Sequence, residues 1–107
     1  MDFIPKDCRI TVYQKPVSAL YGIPGLGGLL MSRAEQINWN RRDNIAMIFF
    51  NPKCTMCKIL VADQTGYSCT TRRLNRGRFP VALALGLVPE EITREALSKL
   101  LKLDFDL

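Results

Sequence analysis

The sequence predicts a single α+β domain: a short N-terminal strand, a helix, a three-stranded antiparallel meander and a C-terminal amphipathic helix. Two continuous apolar runs, Ile45-Ala46-Met47-Ile48-Phe49-Phe50 and Met56-Cys57-Lys58-Ile59-Leu60-Val61, flank a polar connection and read as a buried hairpin. A third run, Tyr67 to Leu74, is rich in β-branched and aromatic residues and follows the turn residues Asp63-Gln64-Thr65-Gly66. Near the C-terminus Leu97, Leu100 and Leu101 recur at i, i+3 and i+4 among charged neighbours, which is the stripe of an amphipathic helix. At 107 residues, 48% hydrophobic and 23% charged, one domain spanning 1–107 can build a core without disulfides or a structural metal.

The elements follow in chain order. Arg9-Ile10-Thr11-Val12-Tyr13 alternates polar and apolar residues and reads as a short strand ending before Pro16. Pro24 suits the first turn of a helix running towards Gln36, with Leu26, Leu29, Leu30 and Ile37 spaced to face one core. The glycines around it, Gly22, Gly25, Gly27 and Gly28, suggest a phosphate-cradling loop. No Gly-Lys-Ser/Thr ending follows, and no Gly-x-Gly-x-x-Gly directly follows a strand, so nucleotide binding is not expected. In the third meander strand, alternation sends Arg72 and Arg73 to opposite faces. Pro89 and Thr93 punctuate the start of the last helix, whose leucine stripe is too short for a coiled coil and reads as core.

Charge is the feature that bears on function. The net charge is +5, but residues 41 to 79 hold eight cations against two carboxylates, so basicity belongs to the middle of the chain. Within it Arg72, Arg73, Arg76 and Arg78 crowd into seven residues. Guanidinium forks match pairs of anionic oxygens, so this cluster, extended by Lys58, Arg41 and Arg42, points to phosphate contacts in nucleic acid. An Arg-rich strand end equally suits a solubilising edge that blocks strand-to-strand association.

The chain contains no histidine, which removes Ser-His-Asp and Cys-His nucleophilic systems. Asp63 is the only carboxylate between Asp43 and Glu90, so a two-carboxylate site would need distant segments to converge. A non-enzymatic protein without cofactor is expected. Cys54 and Cys57 have the spacing of a metal or redox pair, but Cys8 and Cys69 are isolated; structural thiols and no metal are expected. No run approaches the length of a membrane span and the N-terminus lacks a signal layout, so the expected location is cytoplasmic.

The order of motifs resembles TnpB, the small accessory protein of bacterial insertion sequences of the IS66 class, which is distinct from the RNA-guided nuclease of the same name. The likeness spans roughly residues 9 to 103. It rests on Ile48-Phe49-Phe50-Asn51, Lys58-Ile59-Leu60, Asp63, Gly66-Tyr67, and above all Arg72-Arg73-Leu74-Asn75-Arg76-Gly77-Arg78-Phe79-Pro80. The chain departs from the family pattern at Ser18-Ala19-Leu20-Tyr21, where Asp-Met-Arg-Lys is usual, at Ala62 in place of a tryptophan, and at Asn75 in place of an acid. The resemblance implies an accessory role in DNA transposition beside a separate transposase. Its partners would be DNA, contacted without sequence specificity, and the transposase. The alternative is an interaction module that docks its basic face on an acidic protein surface without touching DNA.

Overall fold

The computed structural model describes residues 4–40, 42–79 and 91–101. In chain order these form β1 (Arg9–Val12), α1 (Ile23–Arg33), β2 (Ile45–Phe50), β3 (Met56–Ala62), β4 (Tyr67–Arg73) and α2 (Arg94–Leu101). The four strands make one sheet in the order β1-β2-β3-β4. The predicted antiparallel meander is present as β2-β3-β4, with Ile48 opposite Ile59 and Ile59 opposite Thr70. The sheet as a whole is mixed, because β1 lies parallel to β2 with Arg9 opposite Ile45. A parallel neighbour needs a crossover, and α1 supplies it.

Both faces of the sheet are covered, which is why β2 is apolar at every position. Ile45, Met47, Phe49, Leu60 and Ala62 pack with Leu26 and Leu30 of α1 and with Trp39. Ala46, Ile48, Phe50, Cys57, Ile59 and Val61 pack with Phe79 and with Leu97 and Leu101 of α2. The strand alternation thus sorts one apolar run into two cores.

Helix α1 stops at Arg33, three residues short of the predicted Gln36. The chain instead tightens into a turn in which Asn38 takes φ +52° and the Trp39 amide donates to the Ala34 carbonyl at 2.9 Å. This inserts Trp39 into the α1-side core, where its indole Nε1 donates to the Asp43 carbonyl at 2.8 Å. Helix α2 begins as Thr93 predicts, its hydroxyl accepting the Ala96 amide at 3.1 Å. Pro89 lies outside the described residues.

Several arginines serve the fold. Arg9 bridges Glu91 at 2.8 Å and donates to the carbonyls of Ile37 and Asn38, tying the end of the α1 connection to the segment that enters α2. Arg94 donates to the carbonyls of Ile4 and Pro5 at 3.0 and 2.7 Å. Charge counted along the sequence therefore overstates the charge free for a ligand.

Candidate nucleic-acid interface

The basic turn is held by the β2–β3 hairpin. Asn51 organises that hairpin: its Oδ1 accepts the amides of Thr55 and Met56 at 2.9 and 3.0 Å, and its Nδ2 donates to the Thr55 hydroxyl. Cys54 takes φ +55°, in the left-handed region. The carbonyls of Cys54 and Thr55 then receive the two ends of the turn: Leu74 donates to Thr55 at 2.9 Å and Phe79 donates to Cys54 at 2.7 Å. Gly77, with φ +75°, lets the chain reverse between them.

Side chains reinforce those two hydrogen bonds. Phe79 is fully buried and meets Phe50 edge to face, with ring centroids 5.3 Å apart. Leu74 packs against the same core. The four-residue stretch between these anchors is exposed, so Arg76 and Arg78 project from a clamped loop.

The predicted basic residues divide by location. Arg73 is exposed on the α1 side of β4, its guanidinium 3.5 Å from the Met56 sulfur. Lys53, exposed in the hairpin, joins it across an open groove also lined by Ser18, Ala19, Asn51, Pro52 and Thr55. Arg73, Arg76, Arg78 and Lys53 thus gather at the hairpin end of the sheet, and among the described residues none forms an ion pair with a carboxylate. Lys53 falls within the basic segment 41–79, and its place in a polar hairpin connection is the sequence signal that marks it.

Arg72 lies on the opposite face, as the alternation predicts. It is half-buried and its Nε donates to the Leu101 carbonyl at 3.0 Å. A cation at the last turn of α2 satisfies a carbonyl that the helix leaves open and complements the helix dipole. Lys58 is also engaged: its Nζ donates to the carbonyls of Ala19 and Tyr21 at 2.8 and 2.6 Å, fastening the loop that enters α1. Arg42 stands at the other end of the sheet, where its carbonyl accepts from Gln64 in the β3–β4 turn. Arg41 lies outside the described residues.

The cysteines are distributed in the same two-faced way. Cys54 and Cys57 are buried on the α2 side, whereas Cys69 packs on the α1 side. Burial pushes the Cys57 thiol up to about 12, with the Arg72 guanidinium pulling weakly the other way. Burial, aided by the Asp7 charge, raises Cys8 to about 11, and burial raises Cys69 as well. Among the described residues no three Cys, Asp or Glu side chains gather as metal ligands would. No helix among them is long and apolar enough to cross a membrane.

The candidate site is therefore a cationic end of the mixed sheet, with its turn hydrogen-bonded to the β2–β3 hairpin. Residues 8–102 match the family described as IS66 Orf2 like protein, and the chain belongs to that family. The resemblance read from the Arg-Arg-Leu-Asn-Arg-Gly-Arg-Phe block thus holds over nearly the whole chain. No curated protein and no solved structure matches it.

Proposed function

We propose that this chain is a non-enzymatic accessory protein of insertion-sequence transposition that binds DNA phosphates through Arg73, Arg76, Arg78 and Lys53. Membership of the IS66 Orf2-like family supports the transposition role. The DNA reading is carried by one observation: Arg76 and Arg78 project from a turn clamped to the core at Leu74 and Phe79, beside Arg73 at the end of β4 and Lys53 in the hairpin that receives the clamp. Clamping matters because a pre-set donor array loses less side-chain freedom when it meets a phosphate backbone. Phosphate contacts position a protein without reading bases, so little sequence preference is expected. The strand-transfer chemistry belongs to a separate transposase in this scheme.

Salt titration of binding to a fluorescent duplex tests the assignment. Each phosphate contact adds about 0.9 to the slope of log affinity against log salt, so changing Arg73, Arg76 and Arg78 together to Ala should flatten it by about 2 to 3 units. Arg72→Ala should leave the slope unchanged, because that side chain is spent on α2. An unaltered slope in the triple variant would refute the phosphate site. Absence of DNA binding by the wild type would shift the basic end to an acidic protein partner.

A further inference from the structure

Among the described residues four large apolar side chains are exposed: Leu20 (93%), Tyr21 (42%), Ile23 (39%) and Tyr67 (43%). All four surround the first half of α1. Tyr21 lies against Gly25, where an added Cβ would come within 2.9 Å of its ring, and Tyr67 lies against Gly27. Ile23 sits one turn before Gly27 on the helix. Glycine is the weakest helix former after proline, yet α1 carries three in eleven residues. Two of them seat tyrosine rings that stay partly in solvent. Core packing alone does not account for an arrangement that weakens a helix in order to place rings on the surface.

The rings lie on the face that bears the cations. Tyr67 begins β4 and Arg73 ends it, and even spacing along the strand puts both on the α1 side. Six residue steps separate them, about 20 Å. Tyr21 comes between, held by its carbonyl's hydrogen bond from Lys58, which pairs with Thr71 in the middle of β4. The carboxylate in the turn before Tyr67, Asp63, is already occupied by the Thr65 amide, the Thr65 hydroxyl and the Gly66 amide.

We propose that this face binds single-stranded DNA, with Tyr21 and Tyr67 each stacking on an unpaired base while Arg73 and Lys53 hold phosphates of the same strand towards the hairpin end. This rests on the DNA reading above and specifies the form of DNA. A partly exposed tyrosine lying against a helix offers ring surface to a base, and aromatic side chains combined with a cationic groove are the means by which proteins hold single strands without reading sequence. In a duplex the base faces are already stacked on one another, so the tyrosines would gain nothing from it.

The test uses the full chain, fluorescence anisotropy, a 16-nucleotide deoxythymidine oligomer and a duplex of equal length at one salt concentration. Tyr21→Ala and Tyr67→Ala should each weaken binding to the oligomer by about 5- to 150-fold, the range expected for loss of one stacked base, and change duplex binding less than two-fold. Tyr67→Phe and Tyr21→Phe should restore oligomer binding, because the stacking plate is kept. Thermal unfolding of each variant establishes that it is folded at the assay temperature. Wild-type affinity for the oligomer in both Ala variants, or equal loss for oligomer and duplex, would overturn the inference while leaving the phosphate site standing. Failure of the wild type to bind either DNA would overturn both. Light scattering closes the remaining route: a concentration-dependent dimer abolished by Tyr67→Ala would make the face a protein interface and end the single-strand assignment.

Discussion

Arg72 and Arg76 are four residues apart and carry the same charge, but their surroundings assign them opposite work. Arg72 is half-buried with its Nε on the Leu101 carbonyl, so Arg72→Ala removes a charge-assisted hydrogen bond and leaves a helix end open. A loss of about 1 to 2 kcal/mol is expected in chemical denaturation. Arg76 is exposed in the turn, so Arg76→Ala should stay within about 0.5 kcal/mol while weakening DNA binding. Phe79→Ala should cost on the order of 3 kcal/mol or more, because it removes a fully buried ring from its edge-to-face contact with Phe50. A large stability loss in Arg76→Ala with no binding defect would make it a structural residue and refute its place at the interface. The opposite faces of Arg72 and Arg73 were legible in the sequence from strand alternation alone. Their partners were not, since Leu101 reaches Arg72 through tertiary packing and Met56 meets Arg73 only through the register of β3 on β4.

The β3–β4 turn shows local chemistry acting at the scale of an element. Asp63 Oδ1 accepts from the Thr65 amide, the Thr65 hydroxyl and the Gly66 amide between 2.7 and 2.9 Å. These donors, the Thr65 side chain first, hold the carboxyl below its ordinary value of 3.8. A depressed carboxylate contributes stability above the unfolded value and loses it as pH falls through the folded one. The turn should therefore loosen below about pH 4, seen as lower protection of the Thr65 and Gly66 amides relative to their intrinsic exchange rates, and Asp63→Asn should flatten that acid dependence. An acid dependence at those amides that persists in Asp63→Asn would assign the effect to another carboxyl. This turn, the hairpin and α2 were readable because their signals are local: turn residues, continuous apolar runs and a leucine stripe. The parallel pairing of β1 with β2 has no local signal; it depends on 35 intervening residues folding back, with Arg9 meeting Ile45. The end of α1 was overrun because Leu26, Leu29 and Ile37 keep helical spacing, whereas the Trp39 amide captures the Ala34 carbonyl and closes the turn early.

Across the whole molecule the sheet divides two cores, and the α2-side core links stability to alkaline pH. Cys57 sits there beside Ile59 and Phe79, and burial raises its thiol to about 12 from an ordinary value of 9.0. The neutral thiol is thus the form the folded state prefers. Below pH 9 the thiol is neutral in both states and its burial contributes fully; above it the unfolded chain gains a thiolate that the folded chain resists, so stability falls as pH rises from 9 towards 12. Denaturant midpoints measured between pH 8 and 10.5 should decline, and Cys57→Ala should decline less steeply than the wild type over that window. The same burial makes Cys57 a poor nucleophile, since the thiolate is the reactive form. At pH 8 its modification by a disulfide reagent should therefore run no faster than global unfolding, and it should accelerate in Phe79→Ala in proportion to the lost stability. Fast labelling of Cys57 in the stable wild type would show that the α2 layer opens independently of the sheet. The basic turn, anchored through Phe79 to that same core, would then be a loosely held platform.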